Sequence, residues 1–260
     1  MVDLHSHILP GLDDGPQTLE ECVAMVRIAA QAGTTDIVAT PHANPEFPFD
    51  SDLVDQKIAE LAGACGPILR IHRGCDFHLS YDNIQEALSN PARYTINRRN
   101  YLLVEFSDLL IAKTMDDIFF RMRQAGITPI ITHPERNWLL QRRVEQLRSW
   151  VESGCGIQVT AQSFFGRFGA EARDFSRELM RRGLVHFIAS DAHDCEDRPP
   201  RLDQVYQHIA KKFGPARAQR LLVANPRAVL NGDSLEPEPE PEPAQPRRWY
   251  QFWRPPASGR

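Results

Sequence analysis

Short runs rich in Val and Ile recur along the chain, and between them lie longer stretches whose apolar residues follow a helical period. That alternation constrains the fold more than any other feature, because it is the pattern of repeated β-α units around a parallel sheet. Seven strands are expected, over residues 2–5, 36–40, 68–72, 101–106, 128–132, 156–160 and 185–190. The first helix is well bracketed: Thr18 and Glu21 form a capping box, Cys22, Met25, Val26 and Ala29 share one face, and Gly33 stops it. A second Thr-x-x-Asp start, Thr114 to Asp117, is expected to open the helix before Gly126. At 260 residues and 42% hydrophobic content, the chain can bury one barrel-sized core.

After Asn231-Gly232 the composition changes. Glu and Pro alternate from Glu236 to Pro243, and repeated Pro removes amide donors, so an extended, solvated spacer is expected there. The last segment, RRWYQFWRPP, joins Arg to aromatics and is expected to be a disordered tail. The folded domain is therefore expected over residues 1–232 and the tail over 233–260.

A net charge of −4 offers no broad basic field, which argues against nucleic acid as a partner. Five cysteines with no C-x-x-C pair suit a reducing compartment. No apolar run approaches the ~20 residues of a membrane span, and the first histidines stand too early to leave room for a removable leader. A cytoplasmic location is expected.

The chemistry gathers at the downstream ends of the strands. The first ends in DLHSH, with His5 and His7, and runs on to DDG with Asp14. The others end in ATPH (His42), GCDFH (Asp76, His78), LLVEF (Glu105), THPERN (His133, Arg136) and SDAH (Asp191, His193). In a parallel barrel all these ends converge on one face. Imidazoles with carboxylates suit Mn, Fe, Co or Zn. Crowded carboxylates without a cation would repel one another and take up protons.

Weaker candidates read as scaffold. His72, His186 and His208 are expected to be packing residues, His78 stands between the two readings, and Asp13 is expected to serve only the turn while Asp3 orients a ligand. CEDRPPR, Cys195 to Arg201, has the C-x5-R spacing of thiol phosphatases. Pro199 and Pro200 remove amide donors, however, and Glu196 and Asp197 repel an anion, so a cysteine mechanism is rejected. Arg136 and Arg198 remain as the best readers of a phosphate.

Taken together, DLHSH, DDG, ATPH, GCDFH, LLVEF, THPERN and SDAH resemble the polymerase-and-histidinol-phosphatase (PHP) family, most closely its bacterial tyrosine-phosphatase branch of capsular and exopolysaccharide synthesis. The resemblance runs from residue 3 to about residue 230. It implies an α/β fold, a distorted (β/α)7 TIM-like barrel, and three divalent ions, commonly Mn or Fe. It also implies a tyrosine autokinase as the phosphorylated partner. By the same resemblance His5, His7, Glu105 and Asp191 hold one ion, with Glu105 bridging to a second held by Asp76 and His133. Asp14, His42 and His193 hold the third. His42, Arg136 and Arg198 then border the reacting phosphate. Two positions depart from the pattern: Asp76 stands where Glu is frequent, and Ala43 stands where many relatives carry a second His. The alternatives are a PHP phosphatase acting on a small metabolite such as histidinol phosphate, a PHP nuclease, and a non-catalytic regulatory module.

Overall fold

The computed structural model describes residues 1–236; from residue 237 on, the expected tail lies outside the described residues. Among the described residues nine strand segments occur, with helices between all but β2/β3 and β4/β5: β1 (Val2–Ser6), β2 (Asp36–Ala39), β3 (His42–Ala43), β4 (Arg70–Arg73), β5 (Asp76–His78), β6 (Tyr101–Glu105), β7 (Thr128–Thr132), β8 (Gly156–Thr160) and β9 (Phe187–Ala189). Among the described residues they pair in parallel, in the orders β1-β2-β4 and β3-β5-β6-β7-β8-β9.

The two sheets are one barrel. Asp36 pairs with Arg70 and His42 with Asp76 in a single register, and across the gap Gly74 N and Asp76 N donate to Ala39 O and Pro41 O. β2/β3 and β4/β5 are therefore each one interrupted strand, which makes seven in all. The ring closes where Ser190 N donates to Asp3 Oδ1 (3.0 Å), Asp191 N to His5 O (2.8 Å) and His7 N to Ala192 O (2.8 Å). The expected distorted (β/α)7 barrel is the architecture observed.

The third strand is displaced from its expected place at residues 68–72. It begins at Arg70, breaks after Arg73 and resumes at Asp76, and Ile68, which helped suggest the earlier start, is 43% exposed. The break falls where the chain crowds its neighbour. A Cβ on Gly74 would lie 2.7 Å from Val38 Cγ1 and 3.0 Å from Thr40 Cγ2, so only glycine fits. The last strand likewise starts at Phe187 rather than at residue 185.

Helices cover the outside. The capping box of the helix Leu19–Gln31 is complete, with Glu21 N donating to Thr18 Oγ1 and Thr18 N to Glu21 Oε2. The helix Met115–Gln124 begins where expected, but Thr114 makes no side-chain cap bond, because its backbone (φ −90°, ψ 11°) is not the extended form a capping side chain needs.

Inside the barrel an apolar floor of Val2, Leu4, Val38, Leu103, Ile130 and Phe187 rests on Val229 and Leu230 of the helix Asn225–Asn231. Each large floor side chain contributes roughly 1.5–3 kcal/mol by leaving water. Further along several strands the same inward face becomes polar: Leu103 gives way to Glu105, and Val38 to Thr40 and then His42. The floor thus fixes the height at which the polar groups emerge.

Candidate active site

β1 carries an extra residue relative to β2 between Asp3 and Ser6. This bulge lets Leu4 join the apolar floor while His5 and His7, two residues apart, face the cluster above it. His5 Nε2 lies 3.3 Å from His7 Nε2, 3.6 Å from Asp76 Oδ2 and 3.5 Å from Asp191 Oδ1. His42 spans two groups of acids. Its Nδ1 is 3.2 Å from Asp76 Oδ2 and 3.7 Å from Glu105 Oε2, and its Nε2 is 3.4 Å from Asp14 Oδ1. His193 Nε2 approaches the same Asp14 oxygen at 3.4 Å, and His133 Nε2 approaches Glu105 Oε1 at 3.7 Å. All nine expected ligand positions therefore come together, from six of the seven strands. Three groups can each surround one ion: His7, Asp14, His42 and His193; His5, His7 and Asp76; His42, Asp76 and Glu105.

The rings are aimed by outer partners. His7 Nδ1 pairs with Asp13 Oδ2 at 2.7 Å and His5 Nδ1 with Gln158 Oε1 at 3.1 Å, so both Nε2 atoms are left to point inward. Asp13 also accepts Gly15 N and His42 N. Its expected role as a turn residue alone is corrected: it fixes the ring of His7 and anchors the backbone of His42. Gly15 is part of that arrangement, since a Cβ there would meet His7 O at 2.8 Å. Asp3 accepts His5 N and Ser190 N and so joins the ends of β1 and β9.

The residues present fit cations. Asp76 is fully buried, yet neither of its oxygens has a hydrogen-bond partner, and the same is true of His42 Nδ1. A buried carboxylate that has charged neighbours but no hydrogen bond is expensive. Burial and the Asp76 charge push Glu105 up to about 8. Burial alone would depress His5, but the charges of Asp76 and Asp191 raise it to about 9. The centre is thus negative enough to draw in positive charge. Burial holds His7 down to about 4 and, with help from Arg136, His133 to about 3, which keeps both in the neutral form that binds metal.

Arg136 Nη1 and Arg198 Nη2 both bond Asp191 Oδ2, the latter at 2.7 Å, while Asp191 Oδ1 faces the histidines. Arg198 Nε is buried without a partner. The C-x5-R loop cannot cradle an anion. Glu196, Asp197 and Arg198 all turn their amides to Asp194 Oδ1, at 2.6–3.0 Å. Burial and the Asp194 charge also raise the Cys195 thiol.

A family model described as capsular polysaccharide synthesis, CpsB/CapC, matches residues 1–231. The chain belongs to the CpsB/CapC family. It is 32% identical over 241 residues to the tyrosine-protein phosphatase CpsB of Streptococcus pneumoniae, an alignment covering 88% of this chain and 98% of that protein. It is 30% identical over 240 residues to the tyrosine-protein phosphatase YwqE of Bacillus subtilis, covering 90% and 93%. A crystal structure from work on YwqE and CpsB, described as metal-dependent tyrosine phosphatases, superposes with a TM-score of 0.82 at 29% identity, over 94% of this chain and 100% of that one.

In this CpsB/CapC member, several site residues escaped the sequence reading. Gln158 lies on β8, the one strand with no expected ligand, and nothing but its inward parity marks it. Phe168 places its ring under Arg136 (4.3 Å from Cζ to the centroid) and beside Arg198 (5.8 Å). Glu135 is buried beside them, with Oε1 accepting Thr160 N and Ser163 Oγ. Leu109, Leu110, Trp138 and Phe165 are exposed on loops that follow β6, β7 and β8. The histidines expected to pack do so: His72 bonds Asp36, His186 accepts Ile157 N, and His208 lies against Phe165.

Proposed function

We propose that this chain is a metal-dependent protein-tyrosine phosphatase, with His5, His7, Asp14, His42, Asp76, Glu105, His133, Asp191 and His193 as the ligands of its divalent ions. One observation carries the reading: two guanidiniums meet the oxygen of Asp191 that faces away from the histidines, at the edge of a His/carboxylate cluster in which seven residues fall into ion-sized groups and His133 and Asp191 adjoin them. Cation sites and anion readers are therefore side by side, as a phosphate ester requires. Family membership and the named activity of the CpsB and YwqE relatives support the same reading.

The nine His, Asp and Glu side chains would hold three divalent ions, Mn first among the candidates, which when bound would supply Lewis acidity toward a phosphoryl oxygen and lower the pKa of water toward ~7. Arg136 and Arg198 hold phosphoryl oxygens and offset the charge that grows as the ester bond breaks. His42 sits at the substrate side, 14% exposed in its side chain beside the 52% exposed Asp14. No cysteine is used and no covalent phosphoenzyme is needed. A phenolate, of pKa ~10, departs readily enough to reduce the demand for a general acid.

The physiological substrate in this reading is a cytoplasmic phosphotyrosine segment of a tyrosine autokinase that governs polysaccharide synthesis. The exposed apolar residues on the catalytic-face loops favour a peptide over a small polar metabolite. Among the described residues no helix is long and apolar enough to cross a membrane. The catalytic unit is residues 1–232, with the Glu/Pro-rich remainder outside it.

The test is phosphate release from a phosphotyrosine peptide and from histidinol phosphate, with added Mn²⁺ and then with a chelator. The peptide should be turned over faster, and chelation should abolish turnover. Faster release from histidinol phosphate would favour the metabolite phosphatase, and activity that survives complete metal removal would sink the metal mechanism.

A further inference from the structure

β8 supplies none of the nine cluster residues, yet the loop that follows it is tied to both arginine-bearing loops. On one side Ser163 Oγ donates to Glu135 Oε1 at 2.7 Å, directly before Arg136. On the other, Gln162 Nε2 donates to Asp197 O at 3.1 Å and Arg167 Nη2 pairs with Asp197 Oδ1 at 2.9 Å, directly before Arg198. Between these ties stands Phe168, whose position is set by a tight turn. Gly166 (φ 86°) and Gly169 (φ 92°) both adopt left-handed backbone, and Gly169 N donates to Gly166 O at 3.1 Å. The Phe168 ring meets both guanidiniums at once.

We infer that Phe168 is a positioning residue for the reaction, a shared aromatic platform that holds Arg136 and Arg198 converged for one phosphate group. The inference rests on the assignment of those arginines as phosphate readers. Two cations placed side by side repel each other, and two long side chains lose rotamer freedom when fixed. Asp191 compensates for part of this, but if its other oxygen serves a metal ion, its charge is shared. The π-face offers a second attraction that does not compete with phosphate for the N–H donors, because a cation–π contact is made through the charge of the guanidinium and uses no hydrogen bond. A substrate phosphate then finds two forks already in place, and less ordering is needed on binding.

The experiment compares the Mn²⁺-loaded full-length wild type with Phe168→Leu, which keeps bulk and loses the ring, and Phe168→Trp, which keeps an aromatic face. Inorganic phosphate serves as the probe of the arginine pair through its inhibition constant, alongside kcat, KM, bound metal and Tm. Phe168→Leu should weaken phosphate inhibition and kcat/KM about tenfold together, with bound metal unchanged, and Phe168→Trp should recover most of both. In an Arg136→Ala/Arg198→Ala background, Phe168→Leu should have little further effect. The inference is overturned if Phe168→Leu leaves phosphate inhibition unchanged, if Phe168→Trp is as impaired as Leu, or if the loss persists in full without the arginines. A wild type that releases no phosphate from phosphotyrosine would instead overturn the proposed activity, while phosphate binding to the metal-loaded protein would still report on Phe168.

Discussion

Asp13 offers the sharpest test of how the ligand cluster is held. Its side chain is 2% exposed, and it accepts three N–H groups: His7 Nδ1 at 2.7 Å and His42 N at 3.2 Å on Oδ2, and Gly15 N at 3.0 Å on Oδ1. Asp13→Asn keeps the shape but has only one oxygen, so an NH₂ must face at least one donor. A buried donor left unsatisfied costs about 1–3 kcal/mol. Two consequences follow from different parts of that loss. His7 is no longer fixed with Nε2 inward, and removal of such an orienting partner lowers metal affinity about 10–100-fold, or roughly 1.4–2.8 kcal/mol. The turn is also weakened, and for a chain of this size each kcal/mol lowers Tm by about 2–4 °C. The assay is turnover of an aryl phosphate against Mn²⁺ concentration, with Tm measured on chelated protein. The activation midpoint should rise 10–100-fold, while kcat at saturating Mn²⁺ stays within several-fold of wild type. If Tm falls and the midpoint does not move, Asp13 is only a turn residue and the reasoning fails.

Two further substitutions separate mechanisms and test the scaffold. His42→Ala should lower phosphotyrosine turnover at least about 100-fold whereas Cys195→Ser stays within about twofold, and the reverse pattern in steady-state kinetics would restore the thiol mechanism. Asp36 is buried, which alone would raise its pKa, but bonds from Arg70, His72 and Thr35 lower it to about 2. Because the unfolded carboxyl titrates near ~3.9, the stabilisation is present above that pH and lost as pH falls toward 2. The Tm gap between wild type and Asp36→Asn should therefore narrow between pH 5 and 2.5 in thermal melts (on the order of these values), and a constant gap would count against it.

What could be read from the chain alone follows from what burial tolerates. Glu105 in LLVEF and Asp191 in FIASDAH stand out because an acid at the end of an apolar strand is expensive without a partner, so strand ends and ligands were legible together. The third strand was not, because Ile68, Leu69 and Ile71 are dense enough to look like a strand start, and the crowding of Gly74 against Val38 that breaks it is a contact between strands. Asp13 and Gln158 were hidden for another reason. A turn Asp and an inward Gln are common residues, and only the ring nitrogen each meets gives it a role. Phe168 lies between two glycines in a loop, where local sequence says turn and nothing more.

The cluster divides into two halves held in different ways, and this bears on how a substrate reaches it. His133 (φ 31°) and Asp191 (φ 52°) are non-glycine residues in left-handed backbone, a conformation that costs of order 1–3 kcal/mol and persists only where its surroundings enforce it. They follow β7 and β9, flank the β8 loop that carries Phe168, and lie beside Arg136 and Arg198, so within the cluster the strain falls in the sector that also holds the arginines, while Asn97 and Arg98, the other non-glycine residues of positive φ among the described residues, lie before β6. Asp191 is enforced from three directions: by its amide on His5 O and by both guanidiniums on Oδ2. The opposite half, Asp14 and His42, comes from the turn after β1 and the two-residue β3, and its acid is half exposed. Asp14, at 52%, is the most exposed member of the cluster, and the Arg136 and Arg198 side chains, at 26% and 20%, reach solvent as well, so the open face runs from Asp14 across to the arginines. In the proposed activity a phosphate would be held between the cluster and the paired arginines, which read only the phosphoryl group, so selectivity for the aryl group would have to come from the exposed loops at the rim, where Leu109, Leu110, Trp138 and Phe165 stand.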